Sequence, residues 1–193
     1  MKKELVFILG GARSGKSAFA ERLARRGGRV LFVATAEARD QDMRRRIAAH
    51  RERRPAGWDT LEEPRDLVAA LRPLLDRYDT FLLDCLTLWV SNLLLERQDH
   101  VGAESRIQDS ARELMDLVEE THATWILVSN EVGEGIVPSS TLGRAYRDAL
   151  GRVNQVAASR ADRVYLMTAG LALELKSLGA RPLAQLDPDP PGP

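Results

Sequence analysis

The sequence has a single cysteine in 193 residues, Cys85. No disulfide can form within the chain, and because Cys85 stands in the apolar stretch Phe81-Leu82-Leu83-Asp84-Cys85-Leu86, it reads as a buried thiol in a reducing, cytoplasmic setting. Net charge is equally lacking. The 28 basic residues balance 28 acidic ones, which removes the general attraction to nucleic acid or to an anionic membrane surface and leaves only local clusters to bind anions. Long apolar runs are missing too: segments such as Leu5–Leu9 fall far below the roughly 20 residues needed to span a bilayer, and the start has no signal-peptide pattern. There is no internal repeat.

What is present is an alternation. Five runs rich in Val, Ile, Leu, Phe or Tyr read as buried strands: Leu5–Leu9, Val30–Ala34, Thr80–Leu83, Trp125–Ser129 and Arg163–Met167. Helical patterns lie among them at Ala18–Arg26, Leu67–Leu75, Ile107–Val118 and Leu142–Val156, with Pro73 expected to split the second and Pro55 to end the helix that carries Ile47 and His50. Strands alternating with helices predict an α/β fold, a mostly parallel sheet with helices on both faces. The expected organisation is one domain over residues 1–186, followed by a Pro-rich tail, 187–193, too poor in apolar residues to pack.

The segment Gly10-Gly11-Ala12-Arg13-Ser14-Gly15-Lys16-Ser17 matches G-x-x-x-x-G-K-[ST] between a strand and a helix, the context that makes a P-loop. Glycines let backbone amides face phosphate oxygens, Lys16 reaches the β- and γ-phosphates, Ser17 holds Mg²⁺, and the helix dipole points at the same anion. A second metal-linked carboxylate is expected at the end of another strand, where Asp84 stands; the competing role for Asp84 is a cap on the helix that follows. In Arg44–Trp58, six arginines surround His50. Helical spacing places Ile47, His50 and Arg54 on one face, beside guanidinium forks suited to a triphosphate. On the residues alone, a solvated surface histidine is the plainer reading of His50, although a neutral imidazole is also a competent nucleophile toward phosphorus.

Several separated segments resemble one family, the bifunctional adenosylcobinamide kinase and adenosylcobinamide-phosphate guanylyltransferase of cobalamin biosynthesis: GGARSGKS at 10–17, Ala34-Thr35-Ala36, RIAAHRERRPAGW at 46–58, DCLTLWVSN at 84–92, NEVGEGIVP at 130–138 and GRVNQ at 151–155. The resemblance implies a P-loop NTPase-like fold, a homotrimer, and two reactions. Adenosylcobinamide is phosphorylated with ATP or GTP, and GMP then passes from GTP through a histidine, in the position of His50, to give adenosylcobinamide-GDP and pyrophosphate. It also implies that Ala34, Thr35, Ala36, Arg51, Glu52, Arg53, Arg54, Glu62 and Asp84 join the P-loop in binding nucleotide, with Glu63 as an alternative to Glu62. Glu131 either takes a proton from the substrate hydroxyl or orders the loop that follows it. The competing function is a P-loop small-molecule kinase without guanylylation, which leaves the arginine cluster without a role.

Overall fold

Val30–Ala34 and Thr124–Val128 are buried at every position, as strands covered on both faces must be. The computed structural model describes residues 3–38, 41–52, 54–96 and 102–186, with backbone alone at 42, 43, 46, 49 and 50. The expected tail, 187–193, lies outside the described residues. Strands β1 (Glu4–Gly10), β2 (Val30–Ala34), β3 (Asp59–Glu62), β4 (Thr80–Asp84), β5 (Thr124–Val128), β6 (Arg163–Thr168) and β7 (Leu171–Glu174) form one sheet in the order β3-β2-β4-β5-β1-β6-β7. Every neighbouring pair is parallel except β6 with β7. The helices are α1 (Lys16–Ala24), α2 (Gln41–Glu52), α3 (Leu67–Leu71), α4 (Leu86–Leu95), α5 (Ala103–Glu119) and α6 (Thr141–Arg160). This is the α/β, P-loop NTPase-like architecture expected from the alternation.

Period-two alternation sorts the strand residues into two layers. Val6, Ile8, Phe32, Leu82, Ile126 and Val128 pack with Ala20 and Ala24 of α1 on one face. Phe7, Leu31, Phe81, Leu83, Trp125 and Leu127 pack on the other, under Leu67 of α3, Trp89 of α4, Leu114 of α5 and Leu150 of α6. Phe81 and Trp125 stack there with ring centroids 4.2 Å apart. Truncating a buried aromatic in such a layer costs about 3–5 kcal/mol.

Pro73 acts as expected: α3 ends at Leu71 and a 3-10 turn, Arg72–Arg77, continues the chain. The α2 helix stops before Pro55 and has no buried side chain among its described residues. It stands across the carboxyl ends of the strands, where it walls the site. Strands β3 and β7 were not expected; both are four-residue edge strands, mostly exposed. No described helix is long and apolar enough to cross a membrane.

Candidate active site

The loop after β1 owes its shape to two glycines. Gly10 has a φ of 152°, and a Cβ there would stand 2.2 Å from the Met167 carbonyl oxygen of β6. Gly15 has a φ of 98° and caps α1, a region that L side chains enter at a cost. Between them Arg13 also turns left-handed, at 58°, and Gly11, Ala12, Arg13 and Gly15 are exposed. Two backbone bonds anchor the loop: the Glu131 N–H donates to the Gly10 carbonyl (3.2 Å), and the Gly170 N–H to the Ser14 carbonyl (3.1 Å). No side chain caps the start of α1, which leaves its first amides facing a concavity of about 320 Å³ against Arg13–Ala18. That is a phosphate cradle in both shape and dipole.

Lys16 is the buried cation of the cradle, 8% exposed, with its ammonium donating to the Gly11 carbonyl at 2.6 Å. Burial holds its pKa below the usual 10.5, while the charge of Asp84 opposes that fall. Asp84 is the last residue of β4, and the N-cap of α4 is Cys85 rather than Asp84. The carboxylate stands at the carboxyl end of the strand, within electrostatic reach of Lys16.

A second, larger cavity of about 500 Å³ opens between α2 and the carboxyl ends of β2, β3 and β4. Ala34, Ala36, Arg51, Arg54, Glu62 and Asp84, drawn from four separate parts of the chain, all line it. Arg51 Nε donates to Glu62 Oε1 at 2.9 Å. Arg54 lies 4.0 Å from the centroid of the Phe32 ring, and burial lowers its pKa, opposed chiefly by Glu62. Glu62 lines the cavity, whereas Glu63 Oε1 accepts from the amides of Arg65 (2.8 Å) and Asp66 (2.9 Å), ordering the approach to α3. Glu131 likewise orders its own loop by accepting from the Gly133 amide at 2.5 Å.

Two expected positions fall elsewhere. Thr35 is fully buried, and its hydroxyl donates to the Cys85 carbonyl (2.7 Å) and accepts from the Cys85 amide (3.0 Å). Its side chain therefore joins the ends of β2 and β4 and does not line the cavity. Glu52 is exposed at the end of α2 and does not line the cavity either. The backbone of His50 belongs to α2, the helix that presents Arg44, Ile47 and Arg51 to the cavity; its side chain and Arg53 lie outside the described residues.

Residue-by-residue reading missed the polar residues that brace this edge. Asn92, 4% exposed in the apolar helix α4, donates to the carbonyls of Thr35 (2.7 Å) and Pro64 (3.1 Å). Thr87 accepts from the Asn130 amide (2.8 Å), and Asn154 donates to the Asn130 carbonyl (3.1 Å) while accepting from the Ser129 hydroxyl (2.7 Å). For Asn92 the available signal was a polar amide inside an otherwise mostly apolar helical run, where burial demands a hydrogen-bond partner.

Magnesium can be tested against these donors. Among the described residues no group of three His, Cys, Asp or Glu side chains converges, so no all-protein cage exists for a cation there. One strand-end carboxylate, Asp84, and one hydroxyl at the start of α1, half-buried Ser17, suit Mg²⁺, which keeps waters and takes its remaining ligands from substrate phosphates. The donor set fits the ion.

A family model described as cobinamide kinase / cobinamide phosphate guanyltransferase matches residues 6–175. The chain is 48% identical over 170 residues to the bifunctional adenosylcobalamin biosynthesis protein CobP of Pseudomonas aeruginosa, which covers 88% of this chain and 95% of that protein. It is 39% identical over 180 residues to the bifunctional adenosylcobalamin biosynthesis protein CobU of Salmonella typhimurium, covering 89% and 99% respectively. With a P-loop cradle and an arginine-walled cavity at one sheet edge, and with matches running nearly the length of the chain, the protein belongs to the cobinamide kinase / cobinamide phosphate guanyltransferase family.

Proposed function

We propose that the chain catalyses both reactions: phosphorylation of adenosylcobinamide with ATP or GTP, and transfer of GMP from GTP to the resulting phosphate. The observation that carries this reading is the pairing of a phosphate cradle with a second cavity walled by Arg51, Arg54 and Glu62, in which Asp84 also stands, within electrostatic reach of Lys16 of the cradle. A kinase alone gives the arginines that wall the second no work.

In the kinase step the amides of Gly11–Ser17 and the start of α1 hold the β- and γ-phosphates, and Lys16 offsets charge on the transferring group. Ser17 and Asp84 would hold Mg²⁺; when bound, the ion would neutralise charge on the phosphate oxygens. In the second step the His50 imidazole forms a bond to the α-phosphorus of GTP as the bond to pyrophosphate breaks. A phosphate oxygen of adenosylcobinamide phosphate then takes the phosphorus from the imidazole, which is released. Arg51 and Arg54 supply fixed positive charge for the triphosphate in this cavity. Residues 1–186 serve as one catalytic domain, and the working form is a cytoplasmic homotrimer.

GTP labelled at the α-phosphate is expected to leave label on the denatured protein, stable to alkali and lost in acid, as a phosphoramidate is. Label retained by His50→Ala would defeat the nucleophile assignment. Lys16→Ala should lose phosphorylation of adenosylcobinamide, and full kinase activity in that variant would overturn the cradle.

A further inference from the structure

Strand β5 lies between the strand that ends in the phosphate cradle and the strand that ends in Asp84, since the local order is β4-β5-β1. Register fixes the levels: Val128 stands opposite Ile8 on one side and Asp84 on the other. Pairing persists past the strand, for the Ser129 amide donates to the Ile8 carbonyl (2.9 Å) and the Glu131 amide to the Gly10 carbonyl (3.2 Å). Asn130 is therefore level with Gly10 and two residues beyond Asp84. By alternation it shares a face with Ile126 and Val128, which pack with Ala20 of α1. Leu82 belongs to that same layer, so Asp84 shares the face as well.

The Asn130 backbone is held at both ends, its N–H by Thr87 Oγ1 at 2.8 Å and its carbonyl by Asn154 Nδ2 at 3.1 Å. Both partners are themselves buried. The residue lines the larger cavity with Asp84 and Thr87, and its side-chain amide makes no hydrogen bond to another described residue. A pinned backbone that presents an unengaged amide between a cradle and a carboxylate is a preorganised donor, of the kind that acts on charge developing in a transition state.

We propose that the Asn130 side-chain amide is a catalytic hydrogen-bond donor to the transferring γ-phosphoryl group. The proposal rests on the kinase half of the function above. The substrate hydroxyl oxygen bonds to the γ-phosphorus as the bond to the β–γ bridging oxygen breaks; the nucleoside diphosphate leaves with that electron pair, and the hydroxyl proton passes to solvent. Asn130 exchanges no proton. It donates to an equatorial oxygen of the group in flight, beside Lys16, and its neutrality avoids repelling a phosphate that Asp84 already crowds.

The test compares Asn130→Ala and Asn130→Asp in the full chain, with adenosylcobinamide, MgATP and MgGTP. Wild-type turnover is measured first; its absence would overturn the kinase reading itself rather than the assignment of Asn130. With wild-type activity in hand, kcat in Asn130→Ala is expected to fall by about 100-fold, the usual loss for one such donor, with nucleotide KM within about threefold because binding rests on the cradle. Asn130→Asp is the discriminating variant. It keeps the shape, so a purely structural role makes it milder than Ala; a carboxylate aimed at the γ-phosphate makes it harsher. The expected order of kcat is wild type, Ala, Asp, with melting temperatures that do not follow it. Asp at or above Ala, or kcat of Asn130→Ala within threefold of wild type, overturns the proposal.

Discussion

One side-chain amide ties three elements of the site edge, and removing it should cost measurable stability. Asn92 Nδ2 donates to the Thr35 carbonyl, just past β2, and to the Pro64 carbonyl, just past β3, from inside α4. Asn92→Leu keeps side-chain volume close to native while removing both donations. Each carbonyl left without its donor costs about 1–2 kcal/mol, so the variant should lose about 2–4 kcal/mol. At about 2–4 °C per kcal/mol for a chain of this size, Tm falls by about 5–15 °C. Urea unfolding with an unchanged m-value is the direct assay. Asn92→Asp should be worse at pH 7, because a carboxylate would then face two carbonyl oxygens, and should recover part of the loss near pH 4 as it gains a proton to donate. A loss below about 0.5 kcal/mol in Asn92→Leu, the range of an ordinary surface substitution, would refute the tie.

Two further expectations follow from shifted groups. Burial pushes the Cys85 thiol up to about 12 from 9.0 and the Tyr146 phenol up to about 12 from 10.0; the unfolded chain releases these protons first, so stability should be intact below pH 9 and fall between pH 9 and about 12, and Cys85→Ala should flatten the first part of that slope in urea titrations. The charge of Asp84 holds Lys16 up against its desolvation. Asp84→Asn should therefore lower the Lys16 pKa further and move the alkaline limb of residual kinase activity to lower pH, whereas a limb that stays in place would show that Asp84 does not act on Lys16.

How far the sequence reveals this molecule depends on which force made each element. The five strands read from it, β1, β2, β4, β5 and β6, owe their place to apolar runs, and burial writes itself into composition. Strands β3 and β7 owe theirs to backbone pairing at the sheet edges; with side chains mostly in solvent they carry no apolar signature, and only the neighbouring strand reveals them. The same division runs through the site. The cradle is legible because its chemistry is local: eight consecutive residues, with glycines forced at Gly10 and Gly15 by a backbone no other residue adopts cheaply. The arginine-walled cavity is assembled from segments that only the sheet order brings together, so it takes three dimensions to see Glu62 lining it while Glu63 holds the amides of Arg65 and Asp66. Thr35 shows the converse: it stands inside a family motif, yet its side chain faces Cys85 and not the cavity. A motif marks a stretch of chain; which of its residues meets the ligand and which holds the stretch in place is decided by the partners each side chain finds in three dimensions. That division of labour is what makes Asn130 separable from its neighbours, since Ser129 is engaged with Asn154 and Glu131 with its own loop, while the amide between them is left for the substrate.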